Sequence, residues 1–521
     1  MAPAAEDGTI ETGPIETGSI ETSQAAVERD GNDLRRSLRI NLVGYAIKFA
    51  YPFLLILVIN LYGAGPYGVF ALVQGVLTVM LRVSLLGLDK GLLWWIPRLA
   101  PADERQGLRA TLILTTLCSL SLALLTALVL APVIAAWAER PDMTPGLRWM
   151  ALGLVPMALL EVLTQACVGK RRLEAHILFK EGLVSFVLVA AAVLCYALGL
   201  ERSGLEVAFV ASYLAGLLGV LWVFRSAFAA SQWQGPALRV PAGLWRYSWR
   251  MWLNDCAGAV FNRMDVFILA ALTDDVSVGV FTGASQYAQQ VMAIRWSFDP
   301  MLVAMISQIG HANDHFRLRR GFARAWLMVA VLEIPLLAFM VAAAAWIMPL
   351  LGEKYAHGVG PALVLLAMFG VNGMFGFNQH IVSGFGRSGL TLTNTLVSIV
   401  IGAGMLALLI PPFGLVGAAW GIGSAYLALN VIWAVQARMI VGRWHYEASI
   451  GWTLALTAVA VAAMAATWAG VDLALGTGVN GTMADLAARV AALLVFGAVF
   501  GPGMWYLRRS GRFAGGPAPA A

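Results

Sequence analysis

The sequence predicts an all-α polytopic membrane protein of about fourteen transmembrane helices. Hydrophobic residues make up 60% of the 521 positions and charged residues only 12%, about half the charged share of a soluble domain. Apolar runs of roughly 20 residues or more recur along the chain, and each is long enough to cross a hydrocarbon layer of about 30 Å. Because a span in lipid must satisfy its own backbone hydrogen bonds, each run is predicted to be a helix. The fourteen runs are 40–61, 67–88, 110–137, 147–168, 178–199, 205–228, 249–271, 278–309, 322–350, 359–383, 389–411, 413–436, 449–469 and 484–507.

The first 39 residues are predicted to be a disordered tail. They are polar and carry the near-repeat TIETGPIETGSIET at 9–22, which offers too little apolar surface to pack. A cleaved secretory signal is not expected, because its apolar core would directly follow a charged stretch. Here the first apolar run begins only at Ile40.

Lysine and arginine are distributed very unevenly between the two sides of the predicted membrane. If the N-terminal tail is inside, the inside loops and tails hold 26 of these residues and the outside loops hold 4. Because positively charged loops remain in the cytoplasm, both termini are predicted to be cytoplasmic. The same bias accounts for the net charge of +6, so no nucleic-acid partner is expected.

Short sequence matches recur at a spacing of 211 to 217 positions. They are YGVF at 67–70 with VGVF at 278–281, LVS at 183–185 with LVS at 396–398, and GK at 169–170 with GR at 386–387. Common composition of glycine- and valine-rich helices is the alternative explanation. A duplication would make runs 1–6 and 7–12 two parallel lobes, as in transporters that rock two lobes around a site at the membrane midplane. The predicted parts are a tail at 1–39, an N-lobe at 40–228, a C-lobe at 229–436, two additional helices at 437–507 and a tail at 508–521.

The loops are too short for a membrane enzyme of the usual kind. No predicted connection exceeds roughly 25 residues, and the chain contains no GxxxxGK[ST] phosphate loop. Its four cysteines lie in or beside apolar runs and form neither a CxxC motif nor a Cys/His cluster. We therefore expect no enzyme activity, no cofactor and no metal site.

Several motifs, in this order and spacing, resemble the Wzx-like oligosaccharide flippases of the multidrug/oligosaccharidyl-lipid/polysaccharide (MOP) exporter superfamily. They are GAGPYG at 63–68, LWRYS at 244–248, NRMD at 262–265, LGEKY at 351–355, SGFGR at 383–387 and IPPFGLVGAA at 410–419. The resemblance covers roughly residues 35–510. It implies translocation of an undecaprenyl-pyrophosphate-linked oligosaccharide from the cytoplasmic to the periplasmic leaflet of the bacterial inner membrane. It also implies lipids and other export machinery, such as a polysaccharide polymerase, as partners.

Four cations inside the predicted spans are candidates for substrate contact. An ionisable residue near the bilayer centre costs roughly 2.5–3.5 kcal/mol on insertion scales, so it should face a cavity or a partner. Together these residues would form a positive lumen suited to a pyrophosphate, which Arg grips bidentately and Lys as a point charge. Snorkelling to the interface, or pairing of Arg295 with Asp299 four residues on, is the structural alternative. The candidates are Lys48, Arg82, Arg263 and Arg295.

Two acids are first candidates for coupling transport to Na⁺ or H⁺. Asp255 lies beside Asn254, and Glu161 lies one turn before Gln165. Charge balance for neighbouring arginines is the alternative role for both. By the same reasoning, Arg489 is expected to be neutralised by Asp485 and is given no part in the site.

Other functions remain open from the sequence. A drug or metabolite exporter of the same superfamily is one, although cationic drugs call for carboxylates where this chain has Lys48 and Arg82. A flippase for the lipid-linked peptidoglycan precursor is another, since its substrate also carries a pyrophosphate. A membrane glycan polymerase or ligase is disfavoured by the short loops. A purely scaffolding protein would tolerate neutralisation of the buried cations.

Overall fold

The computed structural model describes residues 51, 54–55, 58–96, 101–170, 172, 174–200, 203–228, 240–312, 315–384, 388–441, 448–475 and 483–509. All regular structure in these ranges is helical, and no strand occurs within them. The prediction of an all-α polytopic membrane fold is therefore confirmed. The predicted tail at 1–39 and Lys48 lie outside the described residues.

The described part of the first half contains eight α-helices. They are α1 (Ala64–Leu85), α2 (Leu88–Trp95), α3 (Pro101–Leu125), α4 (Ala131–Trp137), α5 (Met143–Ala151), α6 (Leu154–Gly169), α7 (Val184–Ala197) and α8 (Gly204–Ala227). Two π-helical stretches, Thr126–Leu130 and Ala175–Leu183, adjoin α4 and α7. Helices α5 and α6 together correspond to run 4 and meet at an angle of 45°.

The described part of the second half and its extension contains nine α-helices. They are α9 (Ala242–Phe261), α10 (Met264–Leu272), α11 (Asp275–Ala312), α12 (His315–Leu350), α13 (Val359–Phe375), α14 (Asn378–Gly384), α15 (Ser388–Val441), α16 (Ala448–Leu475) and α17 (Met483–Arg509). A 3₁₀ turn at Glu353–Gly358 leads from α12 into α13. Helices α9 and α10 divide what the sequence predicts as a single seventh span.

Helix α15 is two antiparallel spans joined at a break. Gly414 has a φ of 54°, a left-handed conformation that favours glycine. The side-chain amides of Asn394 and Gln436 exchange two hydrogen bonds of 2.7 and 2.8 Å although they lie 42 positions apart. The chain therefore turns back on itself near Gly414, and its arms match runs 11 and 12.

Within the described residues, nine helices are long and apolar enough to cross a membrane, or ten if the bent α5–α6 pair counts as one span. The predicted number of fourteen is therefore not confirmed, although several differences have clear causes. Run 1 falls largely outside the described residues, α15 counts once although it has two arms, and run 7 is divided.

Helices α1 and α11 cross where both begin, and two glycines bring their backbones close together. A Cβ on Gly68 would overlap the carbonyl oxygen of Asp275, and a Cβ on Gly279 would overlap that of Ala64. The equivalent residues on the two helices are 211 positions apart, which is the spacing of the first sequence match. The crossing is thus symmetrical between the halves, as a duplication would make it.

Arg140 joins the two halves at the same end of the molecule, which the sequence predicts to be the outer side. It donates a 2.7 Å hydrogen bond to the carbonyl oxygen of Ala270 and forms an ion pair with Asp275. Hydrogen bonding from Ser277 holds the pKa of the adjacent Asp274 carboxyl below its usual range. Contacts of Arg140 therefore hold the two halves together on this side of the molecule.

The two additional helices attach to the second half through α12. Arg489 donates from Nε to both carboxylate oxygens of Asp485 at 2.9 Å and from Nη1 to the carbonyl oxygen of Ala342 at 2.8 Å. Trp346 donates to the same carboxylate, and the guanidinium stacks 4.1 Å from the Trp468 ring centroid. Arg489 is therefore fully engaged in packing, in agreement with the interpretation of the sequence.

Candidate translocation site

The predicted seventh span is interrupted in its middle. Helix α9 ends at Phe261 and α10 begins at Met264, which leaves Asn262 and Arg263 between them. The hydroxyl of Tyr426, from the second arm of α15, donates a 3.1 Å hydrogen bond to Asn262 Oδ1. Broken helices at membrane depth are tolerated where they line a cavity or are buried in protein, and they form the binding sites of many transporters.

Arg263 projects from this break towards the other half of the molecule. A Cβ on Gly75 of α1 would lie 3.8 Å from Arg263 Cδ, so the two halves meet at the arginine stem. The side chain is half-buried, and among the described residues its guanidinium has no ion pair and no hydrogen bond. Arg263 lies within electrostatic range of the Asp265 carboxylate and of four tyrosine hydroxyls from different predicted spans, those of Tyr51, Tyr67, Tyr213 and Tyr426.

Arg82 lies near the predicted cytoplasmic end of α1 and has two carboxylate neighbours. Its Nη1 is 3.5 Å from Asp89 Oδ2 and 3.5 Å from Glu161 Oε1. Lys180 contacts the other oxygen of Glu161 at 2.7 Å. Trp252 of α9 donates a 3.1 Å hydrogen bond to the Arg82 carbonyl, so the second half of the molecule also contacts this residue. Arg82 is partly exposed and both acids are buried.

The charges around Arg82 are balanced. Asp255 on α9 is half-buried, and its Oδ2 atom has no hydrogen-bond partner. It lies within electrostatic range of Arg82, Asp89, Glu161 and Lys90. With Lys180, the group contains three cations and three carboxylates. We call these six residues the ionic cluster, and an anion entering it must compete with the carboxylates already there.

Arg295 occupies a different environment, inside the second half. Only 6% of it is exposed, and its Nη1 donates a 3.4 Å hydrogen bond to the carbonyl oxygen of Asn372 on α13. A Cβ on Gly376 would overlap the guanidinium, so glycine at this position makes room for it. The structure thus places Arg295 within the packed helices rather than on an open surface.

The predicted site residues therefore divide into three groups. Arg82, Glu161 and Asp255 come together in the ionic cluster. Arg263 follows Asp255 by eight residues on the interrupted span, a rise of about 12 Å along a helix. Arg295 stands apart, and Lys48 lies outside the described residues.

Sequence reasoning gives no site role to the two lysines and Asp89 of the ionic cluster. Lys180 falls within run 5, but so near its start that the sequence pattern assigns it to the preceding inside loop. It lies in the π-helical stretch Ala175–Leu183, where the wider turn changes which side chains share a face. A useful signal was available, because a Glu buried in run 4 calls for a cation on a neighbouring span.

The family model described as polysaccharide biosynthesis protein matches residues 63–360, more than half of the chain. The match spans both halves and includes Arg82, Arg263 and Arg295. Among curated protein sequences, none matches this chain.

Solved structures of membrane transporters share the fold. A lipid II flippase, MurJ, in an inward closed conformation has a TM-score of 0.69 at 9% identity and covers 90% of this chain and 99% of its own. An inward-facing multidrug resistance MATE family transporter of the MOP superfamily has a TM-score of 0.64 at 15% identity, covering 77% and 98%. The MATE transporter VcmN from Vibrio cholerae has a TM-score of 0.58 at 14% identity, covering 79% and 96%. At these identities the likeness establishes the fold.

Proposed function

Because this chain belongs to the polysaccharide biosynthesis protein family and has the MOP exporter fold, we propose that it is an oligosaccharide flippase. It moves an undecaprenyl-pyrophosphate-linked oligosaccharide from the cytoplasmic to the periplasmic leaflet of the bacterial inner membrane. Both termini are cytoplasmic in this proposal. The substrate is the repeat unit of a surface polysaccharide, which a partner polymerase then consumes.

The observation that carries the proposal is the guanidinium of Arg263. It stands at a helix break between the two halves, half-buried and without a bound carboxylate among the described residues. A half-buried cation within a span favours an anionic partner, and a pyrophosphate can accept two parallel hydrogen bonds from one guanidinium.

The ionic cluster supports entry from the predicted cytoplasmic side. Arg82 and Lys180 both contact the Glu161 carboxylate, and in this proposal a pyrophosphate, with its larger charge, takes its place. Lys48, in the cytoplasmic half of run 1, is proposed to add to this entry site. Glu161 and Asp255, the sequence candidates for a coupling ion, both belong to this cluster, where each lies within range of Arg82.

Release to the periplasm requires the closed outer side to open. Here the α1–α11 crossing at Gly68 and Gly279 and the Arg140–Asp275 ion pair hold the halves together. Separating them while closing the ionic cluster would present Arg263 to the other side. Substrate must favour the two states differentially for this exchange to move cargo.

The test is the sidedness of lipid-linked glycan in cells that lack the protein. Complementation with the unchanged chain should relieve accumulation of undecaprenyl-pyrophosphate-linked glycan on the cytoplasmic face. Arg263→Ala, expressed at the same level, should not relieve it, whereas Arg263→Lys should relieve it in part. Arg225→Ala is the matched control, because Arg225 is exposed at the end of α8.

The outcome also separates the alternatives. Normal lipid-linked glycan together with accumulation of another solute would identify an exporter of that solute and contradict the proposal. Accumulation of the peptidoglycan precursor instead of an oligosaccharide would assign the chain to that substrate. Full complementation by Arg263→Ala would show that translocation does not require Arg263, and would contradict its proposed role in binding the pyrophosphate.

A further inference from the structure

Glu333, near the middle of α12, is the most enclosed acid in the described part of the second half. It is 0% exposed, and neither of its carboxylate oxygens has a hydrogen-bond partner. It lies seven residues from Trp326, where the apolar part of α12 begins, or about 10 Å into the span. An ionised carboxylate in such a place is costly unless a charge or a proton compensates it.

Gly373 of α13 and Gly376, which directly follows that helix, make room for Glu333 and Arg295. A Cβ on Gly373 would overlap Glu333 Oε1, and a Cβ on Gly376 would overlap the guanidinium of Arg295. The two glycines are three residues apart and so lie on the same face of the helix. The acid and the arginine therefore share one pocket that α13 leaves open for them.

Within this pocket the acid and the base do not form a bond. Arg295 donates to the Asn372 carbonyl at 3.4 Å, but its Nε atom has no partner, and it makes no ion pair with Glu333. Among the described residues, Arg295 is the charged group whose field acts on Glu333. The nearest charges on α17, Asp485 and Arg489, neutralise each other.

A chain of hydrogen bonds connects this pocket with the break beside Arg263. The chain begins with the hydrogen bond from Arg295 to the Asn372 carbonyl. The side-chain amide of Asn430 then donates to Asn372 Oδ1 at 3.0 Å and to the Tyr426 carbonyl oxygen at 2.9 Å. Tyr426 in turn donates to Asn262 at 3.1 Å, directly before Arg263. Four predicted spans contribute to this path, and it ends at the candidate substrate site.

We propose that Glu333 is a proton-binding site whose charge state controls substrate binding at Arg263 through Arg295, Asn372, Asn430 and Tyr426. This inference rests on the proposed function for its substrate. It assigns the coupling role to Glu333 rather than to Asp255 or Glu161. No metal ion is required, and the neighbouring guanidinium disfavours one, because like charges repel in a poorly solvated pocket.

The direction of the effect follows from the charges. Ionised Glu333 compensates the charge of Arg295 and keeps the guanidinium within the second half. A proton on Glu333 removes a negative charge from beside Arg295, which makes the region more positive and favours an anion at the end of the hydrogen-bonded chain. Protonation is therefore expected to increase affinity for the pyrophosphate, and loss of the proton to weaken it.

The first experiment detects the proton without any substrate. Infrared difference spectra of the purified full-length chain, recorded between about pH 5 and about pH 8, should show a carboxylic acid band from a buried group. Glu333→Gln should remove that band, while Asp255→Asn and Glu353→Gln should leave it. A band that survives Glu333→Gln but disappears in Asp255→Asn would overturn the proposal.

The second experiment measures binding of undecaprenyl pyrophosphate over the same pH range. The unchanged chain should bind roughly tenfold more tightly at the acid end than at the alkaline end, a typical size for coupling between two sites. Glu333→Gln should bind at all pH values as the unchanged chain does in acid, apart from the titration of the ligand itself. A pH dependence equal to that of the unchanged chain would contradict the proposal.

Asn430→Leu tests the path and separates a folding defect from a loss of coupling. It should keep the Glu333 infrared band but lose most of the pH dependence of binding. An unaltered pH dependence would remove the path from the proposal. If the unchanged chain does not bind undecaprenyl pyrophosphate at all, the proposed function fails, whereas the infrared band still decides whether Glu333 takes up a proton.

Discussion

Arg82 and Arg295 occupy comparable places in the two halves but have opposite surroundings. Arg82 follows Gly68 by 14 positions and Arg295 follows Gly279 by 16, and these two glycines form the symmetrical crossing. Arg82 is partly exposed and touches two carboxylates, whereas Arg295 is buried and its nearby acid forms no bond with it. Arg82 therefore belongs to a partly exposed group of ion pairs in one half, whereas Arg295 is enclosed and only partly hydrogen-bonded in the other.

The charged groups of the two halves therefore differ in the bonds that hold them in place. Ion pairs at 2.7 to 3.5 Å hold the geometry of the ionic cluster. The Glu333 carboxylate forms no hydrogen bond, so binding of a proton to it would break none. Four substitutions would sharpen or break this comparison.

The largest expected effect is that of Glu161→Gln. It leaves Arg82 and Lys180 without their shared, buried counter-charge, and breaking a buried ion pair in this way typically costs about 3–5 kcal/mol. The free energy of unfolding in detergent, measured by denaturant titration, should fall by that order. A change below about 1 kcal/mol would show that the ionic cluster is not a structural unit.

Gly373→Ala should have the next largest effect, because its Cβ would overlap the Glu333 carboxylate. Overpacking of this kind costs about 1–3 kcal/mol, and the same unfolding measurement applies. Gly404→Ala is the matched control, since a Cβ there meets nothing within 4 Å. Equal stability of the two variants would contradict the close packing of Glu333 against α13.

Glu333→Gln should change the unfolding free energy by less than about 1 kcal/mol, because its carboxylate oxygens have no hydrogen bonds to lose. This small effect, set beside the large one for Glu161→Gln, is the direct test of the contrast between the halves. A loss as large as that of Glu161→Gln would mean that Glu333 and Arg295 form a structural ion pair.

Arg140→Ala should weaken closure of the predicted outer side by about 1 kcal/mol, since a partly exposed ion pair is lost. Thiol labelling from outside, at a cysteine introduced for Tyr67 beside the α1–α11 crossing, should then be roughly fivefold faster than with Arg140 present. An unchanged labelling rate would exclude Arg140 from outer closure.

Much of the fold could be predicted from hydropathy, because the length and apolarity of a span are local properties. The two arms of α15 and the Arg489–Asp485 pair, which needs only a helical spacing of four, were predictable on the same grounds. The break at Asn262 was not, since the residues around it form one apolar run. Its stability depends on Tyr426, more than 160 positions away.

The direction in which each buried cation points was the least predictable feature. Arg295 could be recognised as a cation within a span, but its burial depends on the space at Gly376 in another helix. Lys180 required knowledge of the π-helical stretch and of Glu161 opposite it. Such contacts depend on tertiary packing, so the local sequence pattern does not predict them.

The most direct test of the central claim is translocation by the reconstituted full-length chain. Vesicles would carry a fluorescently labelled undecaprenyl-pyrophosphate saccharide, and a membrane-impermeant quencher would report its movement between leaflets. We predict that the unchanged chain translocates it and that Arg263→Ala is roughly 10- to 100-fold slower, the loss expected for one charged hydrogen-bond donor. Arg225→Ala should match the unchanged chain. Equal rates for Arg263→Ala and the unchanged chain would contradict the account.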